Sequence, residues 1–190
     1  KTTAMLAASS IWGDPDELVL LERDTYNTKM HRGEVYHNLP LYIDELTNSR
    51  PKELSDLAYQ LTGGRQRGRM QGSVNAERYR GEAWQLLSVS TGNLSVIEKI
   101  SLYKAMPKAE AQRILEVKAD RLFKKSEDKY EQDEFSKALL ENHGHAGPVF
   151  VQYVMANLDA VRKLAAEVQA KVDDKAQLTS ENRFWSAYSC

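Results

Sequence analysis

The short run LYIDE, residues 41–45, constrains the fold of this chain more than any other stretch. Its apolar residues end abruptly in two acids, which is the pattern of a strand buried on both faces of a parallel sheet. The runs LVLLER (residues 18–23) and AWQLLSVSTGN (residues 83–93) give similar strand signals, and segments with helical spacing lie between them. This alternation predicts an α/β fold in which helices flank a parallel sheet. The run QRILEV (residues 112–117) is a candidate for one more strand.

The pattern changes after residue 120. A highly charged segment is followed by a long stretch in which apolar residues fall on one helix face, at Val161, Leu164, Ala165, Val168 and Val172. We therefore predict two regions, an α/β core over residues 1–120 and an all-helical region over residues 121–190.

The composition excludes several classes of protein. The 190 residues carry a net charge of −1, so the chain as a whole is not a basic nucleic-acid binder. The single cysteine, Cys190, rules out a disulfide framework or a cysteine-based zinc site within this segment, and it is consistent with a reducing compartment. No apolar run approaches the roughly 20 residues that a membrane span needs. These features predict a cytoplasmic protein that does not insert into a membrane.

Three groups of polar residues follow one another in an informative order. Lys1 and Thr2 stand at the start of a helix, Asp44 and Glu45 end one strand, and Thr91 and Asn93 end another. A nucleoside triphosphatase needs a lysine at the phosphates, a hydroxyl and a carboxylate at Mg²⁺, and a polar group beside the attacking water. Each group alone is common, but their order predicts a P-loop NTPase that uses ATP and Mg²⁺. We expect the glycine-rich loop upstream, so that the chain begins inside it.

The resemblance to a known family becomes specific in three segments, KTTAMLAASSIWGDPD, YHNLPLYIDELTN and WQLLSVSTGN. They resemble the P-loop part of phage and plasmid primase–helicases, known as domain of unknown function family 927, whose wider relatives are the superfamily 3 helicases and AAA+ ATPases. The resemblance covers most of residues 1–120. It implies a Walker A lysine, Walker A hydroxyls, a Walker B pair and a sensor residue at these positions: Lys1, Thr2 and Thr3, Asp44 and Glu45, and Asn93 with Thr91 as the alternative.

Within that resemblance, Thr2 and Asp44 would hold the Mg²⁺ and Glu45 would activate water. Arg113 stands where such helicases carry the arginine finger that reaches the nucleotide of a neighbouring subunit. The alternative for Arg113 is a surface arginine at a strand start. A finger acting between subunits implies a homo-oligomer, and the family resemblance suggests a hexameric ring.

A cluster of arginines marks a candidate nucleic-acid interface. Between residues 63 and 80 the chain has five arginines and one acid, Glu77, together with several glycines that allow tight turns. Arginines bind backbone phosphates without reading bases, which suits single-stranded DNA. In the resembling helicases the segment before the sensor strand is a hairpin that projects into the pore. The alternative is a solvated loop that contacts neighbouring subunits or its own acids. The arginines are Arg65, Arg67, Arg69, Arg78 and Arg80.

Together with the ordered polar residues, the resemblance implies ATP hydrolysis coupled to translocation along single-stranded DNA, or its unwinding, during phage or plasmid replication. Two alternatives remain open at this point. One is a P-loop ATPase that does not unwind DNA, such as a packaging motor or a remodeller of protein complexes. The other is an inactive scaffold built on a P-loop fold.

Overall fold

The computed structural model describes residues 2–68, 70–73, 76–77, 79, 81–118 and 129–177. Helices lie between the three strands of a parallel sheet, and among the described residues the regular elements after the third strand are all helices. The helices are α1 (Thr2–Ser10), α2 (Pro15–Leu18), α3 (Tyr26–Tyr36), α4 (Pro51–Gly63), α5 (Val96–Ser101), α6 (Lys108–Ala111), α7 (Lys129–Glu141), α8 (Ala146–Ala156) and α9 (Leu158–Ala176). The strands are β1 (Val19–Leu21), β2 (Leu41–Asp44), β3 (Met70–Gln71), β4 (Ala76–Glu77) and β5 (Ser88–Ser90).

The predicted parallel sheet is confirmed. In the described part of the chain it has three strands in the order β1, β2, β5, and both pairs of neighbours are parallel. The register places Leu21 opposite Asp44 and Ile43 opposite Ser90, so the carboxyl ends of the three strands lie at one edge. That edge is where the polar residues predicted from sequence emerge.

The two faces of β2 pack against different helices. Successive side chains of a strand point to opposite faces. Leu41 and Ile43 belong to the main core cluster, together with residues of α3, α4 and α5. Tyr42 points the other way, and its buried hydroxyl donates to the carbonyl of Ala8 in α1 (2.9 Å). Helices therefore cover the sheet on both faces, and α1 runs alongside the central strand.

The ends of helix α4 are set by a proline and a glycine. The helix begins at Pro51, with Arg50 as its N-cap. Pro51 occupies the first turn, where its missing N–H is not needed. Gly64, with φ of 67°, ends the helix in the left-handed conformation that favours glycine.

Helix α6 is joined to α4 by a buried carboxylate. Glu110 is fully buried, accepts a hydrogen bond from the Ser55 hydroxyl (2.6 Å) and pairs with the Lys104 ammonium (3.0 Å). Burial alone would raise the pKa of Glu110, but the hydrogen bonds from Ser55 and Lys104 outweigh it, and its pKa lies below the ordinary value. The hydrogen bond with Glu110 raises the pKa of Lys104.

The strand predicted for QRILEV is wrong. Gln112 and Arg113 lie in a turn after α6, and residues 114–118 have no regular structure. Ile114 packs against the core cluster, while Glu116 turns back to the start of α5, where its carboxylate accepts a hydrogen bond from the Ser95 hydroxyl (2.6 Å). The segment therefore packs on the domain through side chains instead of pairing with a strand.

The C-terminal helices contact the core through α1 and the turn after it. The amide of Gly144 donates to the carbonyl of Ser10 (2.7 Å), and the amide of Gly147 donates to that of Ile11 (2.8 Å). The rings of Trp12 and Phe150 meet edge to face, with centroids 6.3 Å apart. Among the described residues, no helix is both long enough and apolar enough to cross a membrane.

Candidate active site at the carboxyl edge of the sheet

Helix α1 brings Thr2 to the end of β2. Because Tyr42 binds Ala8 near the far end of α1, the helix lies along the central strand and its first turn reaches the carboxyl edge of the sheet. There the Thr2 hydroxyl donates to Asp44 Oδ2 (3.4 Å). Thr3, the next residue, is half-buried in the same turn. Two residues predicted to act together thus meet across 42 positions of sequence.

Asp44 is the centre of the hydrogen-bond network at this edge. Its Oδ1 accepts from the Thr91 hydroxyl and from the Glu45 amide (3.0 Å), while Oδ2 faces Thr2. A carboxylate held through both oxygens has a fixed orientation. The sequence placed Thr2, Asp44 and Thr91 in one site, and the structure brings these three side chains together.

Glu45 leaves the strand in an unusual backbone conformation. Its φ of 52° and ψ of 33° lie in the left-handed region, which is uncommon for a residue with a side chain. The chain turns sharply here into the 3₁₀ turn Leu46–Asn48, and the exposed Glu45 carboxylate accepts a hydrogen bond from Asn48 Nδ2 (3.0 Å). Asp44 and Glu45 are adjacent in sequence, but because of the turn the Asp44 carboxylate is held by hydrogen bonds while the Glu45 carboxylate is exposed.

The end of β5 packs against the turn that follows Glu45. The Leu46 amide donates to the carbonyl of Thr91 (2.9 Å), and the Asn93 amide donates to Thr47 Oγ1 (3.1 Å). Gly92 allows this approach, because a Cβ there would lie 2.5 Å from Thr47 Cγ2. Asn93 itself is exposed, on the loop that follows Thr91 at this edge.

A cleft at the same edge contains residues that the sequence did not single out. Its volume is about 240 Å³, and its walls come from the ends of β1 and β2. Asp44 and Glu45 were predicted, whereas Glu22 and Arg23 were not. The signal available in the sequence was the pair of charges that ends LVLLER, in the same relation to its strand as the acids that end LYIDE. The lining residues are Leu21, Glu22, Arg23, Asp44 and Glu45.

Arg113 lies apart from this network, on the surface of α4. Its guanidinium stacks over the ring of Tyr59, 4.8 Å from the centroid, and its Nη1 donates to the carbonyl of Ala109 (2.6 Å). The Lys104 ammonium approaches the same ring at 5.6 Å. A role for Arg113 in a neighbouring subunit stays a prediction.

The arginine-rich segment contains the expected hairpin. Strands β3 and β4 pair antiparallel, with Met70 opposite Glu77, and their residues are exposed. Arg65 and Arg67 are exposed beside it, and Arg67 pairs with Asp56 at 3.6 Å on the surface. The predicted site residues Lys1, Arg69, Arg78 and Arg80 lie outside the described residues.

The base of this hairpin segment is closed by a set of contacts around Trp84. The Trp84 amide donates to the carbonyl of Gly64 (2.8 Å), and its indole Nε1 donates to that of Leu61 (2.8 Å). The amide of Gln85 donates to the carbonyl of His37 (3.0 Å), whose φ is 53°. These contacts hold the two ends of the segment together.

Comparison with known proteins is consistent with this architecture. Residues 1–79 match the family described as "Domain of unknown function (DUF927)". That match includes Asp44, Glu45 and the arginine-rich segment as far as Tyr79. No curated protein sequence matches the chain significantly.

A solved structure described as "SCCmec type IV Cch - active helicase" shares the fold, with a TM-score of 0.69 and 19% sequence identity. The superposition covers 100% of this chain but only 34% of the other. At this identity the likeness shows a common fold.

Proposed function

We propose that this chain is the ATPase core of a helicase that translocates along single-stranded DNA. The observation that carries the proposal is the meeting of Thr2, Asp44 and Thr91 at the carboxyl edge of a parallel sheet, with Glu45 exposed beside them. Ligands of open parallel sheets bind at this edge. The arrangement supplies a hydroxyl, a tied carboxylate and a second carboxylate next to a cleft.

The oxygen donors fit a magnesium–nucleotide complex. Mg²⁺ prefers hard oxygen ligands and usually binds through one or two protein groups, with water and phosphate oxygens completing its shell. The Thr2 hydroxyl and the Asp44 carboxylate are such groups, and they already lie within 3.4 Å of each other. Among the described residues there is no group of three or more His, Cys, Asp and Glu side chains that could hold a metal ion. Bound Mg²⁺ would neutralise charge on the phosphates.

The remaining residues have distinct roles in this proposal. Lys1 would bind the phosphates, with Thr3 beside it. Glu45 would orient the attacking water and accept its proton as the bond to the γ-phosphorus forms and ADP leaves, while Asn93 would fix the water or the γ-phosphate. Thr91 holds Asp44 in position.

The exposed hairpin supports a nucleic-acid contact. Arg65 and Arg67 lie on the surface just after Gly64, whose carbonyl binds Trp84, and Tyr79 is 79% exposed farther along the segment. Arginines that follow a phosphate backbone and an aromatic ring on which a base can stack are the usual parts of a single-strand binding surface. In this proposal Arg69, Arg78 and Arg80 extend the same surface.

The fold shared with a helicase supports this function over the two alternatives. Because the chain spans about a third of that neighbour's length, the activity of the whole protein is part of the proposal. We also propose that the protein forms a hexameric ring in which Arg113 reaches the nucleotide of the next subunit. Its proposed role is in phage or plasmid replication, and its proposed location is the bacterial cytoplasm.

The first test measures ATP hydrolysis by the full-length protein and its Glu45→Gln variant. We expect the variant to lose a factor of roughly 10² to 10⁴ in kcat, because it cannot accept the proton from water. Glu167→Gln, which changes an exposed glutamate on α9, is the matched control and is expected to act as wild type. A Glu45→Gln variant as active as the control would contradict the role of Glu45, and a wild type without hydrolysis would favour the scaffold.

The second test measures how single-stranded DNA changes that hydrolysis. We expect stimulation in the wild type, and we expect the Arg65→Glu, Arg67→Glu double variant to lose it while its DNA-free rate stays unchanged. The slope of log affinity against log salt should become shallower by about 0.7 for each phosphate that the protein no longer binds. The Arg162→Glu, Lys163→Glu double variant, at two exposed positions on α9, is the charge-matched control. Hydrolysis indifferent to DNA in the wild type would favour a packaging motor or remodeller.

A further inference from the structure

The turn between β1 and α3 forms one wall of the cleft, opposite the end of β2. Among the described residues that line it, Arg23 is the basic one, and Asp44 and Glu45 line it too. The register explains the placement, because Leu21 pairs with Asp44 and the residues just beyond each strand are therefore neighbours. The turn thus takes part in the same site as the two acids that end β2.

This turn is held by an unusual set of hydrogen bonds. The amide of Leu21 donates to Asp24 Oδ2 (2.7 Å), and the amide of Asp24 donates back to the carbonyl of Leu21 (3.1 Å). The ammonium of Lys29, in α3, donates to the carbonyls of Glu22 (2.6 Å) and Asp24 (2.8 Å). The backbone on both sides of Arg23 is therefore fixed.

Lys29 performs this role from inside the protein. The residue is only 5% exposed, and burial lowers the pKa of its ammonium although Glu22, Asp24 and Glu53 act in the opposite direction. Burying an ammonium group is unfavourable unless it is well hydrogen-bonded. A buried lysine that serves only to fix a surface turn indicates that the position of that turn matters.

Arg23 is free to bind a ligand. Its side chain is exposed, and it makes no hydrogen bond or ion pair with any other described residue. A guanidinium presents five N–H donors in a planar fork, which suits a phosphate group. Because the backbone is fixed, the exposed guanidinium of Arg23 starts from a defined position beside the cleft, where it can reach an anion.

We propose that Arg23 binds the phosphates of the nucleoside triphosphate in this cleft and that Lys29 is its positioning residue. This inference rests on the proposed ATPase function. The cleft favours a nucleotide over a DNA strand, because the carboxylates of Glu22, Asp44 and Glu45 would repel a bare polyanion. A magnesium–nucleotide complex brings its own cation for the carboxylates and leaves phosphate oxygens for the arginine.

The test compares Arg23→Ala and Arg23→Lys with wild type in the full-length protein. We expect Arg23→Ala to raise the Kd and the KM for Mg–ATP roughly tenfold or more, as when a charged hydrogen bond is removed, and Arg23→Lys to recover part of the loss. Affinity for single-stranded DNA without nucleotide and the unfolding midpoint should not change. Arg162→Ala is the matched control.

Lys29→Met keeps the buried stem and removes the ammonium. We expect it to raise the KM for Mg–ATP in the wild-type background and to have no further effect on KM in the Arg23→Ala background, because it acts through Arg23. An additive increase would contradict the positioning role. If Lys29→Met does not fold, the Arg23 variants alone decide the main point.

The outcomes separate this inference from the function on which it rests. Wild-type protein that hydrolyses ATP while Arg23→Ala has an unchanged Kd for Mg–ATP would overturn the inference and leave the ATPase standing. An Arg23→Ala variant that loses DNA affinity and keeps nucleotide affinity would also overturn it, and would assign Arg23 to DNA. Wild-type protein that does not bind Mg–ATP would overturn both.

Discussion

Replacing Gly92 with alanine tests how tightly the end of β5 must approach the turn after β2. A Cβ at this position would lie 2.5 Å from Thr47 Cγ2 and 2.8 Å from Thr47 Oγ1, closer than real contacts allow. Thr47 cannot easily move away. It is 3% exposed, its hydroxyl accepts from the Asn93 amide, and its carbonyl accepts from the Lys99 ammonium.

Relief of the clash therefore requires the two segments to separate. Forcing an extra methyl group into a packed contact costs about 1–3 kcal/mol, and we expect Gly92→Ala to lower the free energy of unfolding by about 2 kcal/mol. Because Thr91 and Asn93 flank the glycine, displacement of about 1 Å at the site should also reduce ATPase by up to roughly 10². Gly63→Ala is the matched control, since nothing lies within 4 Å of a Cβ there.

A double-mutant cycle identifies the clash itself. Thr47→Ala removes the two atoms that the new Cβ would meet most closely and leaves Thr47 Cβ at 3.2 Å. On its own it should cost about 0.5–1.5 kcal/mol because the Asn93 amide loses its acceptor. The double variant should be more stable than the sum of the single effects by about 1–2 kcal/mol. The assay is urea unfolding followed by fluorescence and circular dichroism. Effects that add within about 0.5 kcal/mol, or a Gly92→Ala variant as stable as Gly63→Ala, would refute the reasoning.

Two more substitutions have expected outcomes. In thermal unfolding, Glu45→Gly should be more stable than Glu45→Ala by about 1 kcal/mol, because glycine relieves the left-handed backbone strain at this position. Both variants should lack ATPase activity. Equal stabilities of the two variants would contradict the strain. Because the pKa of Glu110 is lower in the folded protein, its carboxylate stabilises the fold at pH values above the unfolded-state pKa of about 4.3. This stabilisation is lost as the pH falls through the pKa of the folded state. Between about pH 7 and pH 3, the free energy of unfolding in urea should therefore fall less for Glu110→Gln than for wild type. If the two proteins lose stability in parallel, the hydrogen bonds from Ser55 and Lys104 do not lower the pKa of Glu110.

The sheet could be predicted because each of its strands is an apolar run that ends in polar residues. The same pattern placed Asp44 and Thr91 at one edge, since carboxyl ends of parallel strands align. QRILEV has a similar composition but no strand, because Leu115 and Val117 are exposed and the segment is tied to α5 by Glu116. The composition of an apolar run predicts that it is buried. Whether it forms a strand depends on whether a neighbouring strand is available to pair with it.

Other features of the site depend on contacts that are distant in sequence. The burial of Lys29 follows from the packing of α3 over the β1 turn, and a lysine in the middle of a polar helix gives no local sign of it. The left-handed conformation of Glu45 follows from pairing of Leu46 with Thr91, some 45 residues away. Sequence pattern locates the edge of the sheet, and tertiary contacts set the geometry there.

Three features at this one edge either cost free energy or exclude other residues. Glu45 adopts a backbone conformation that disfavours side chains, Lys29 buries an ammonium group, and Gly92 permits an approach that any other residue would block. Each has a different physical origin, and each fixes a segment that borders Asp44 or the cleft. Such features persist where the surrounding structure must hold a precise arrangement. Their coincidence argues for a ligand site at this edge on physical grounds alone, independent of the resemblance to helicases.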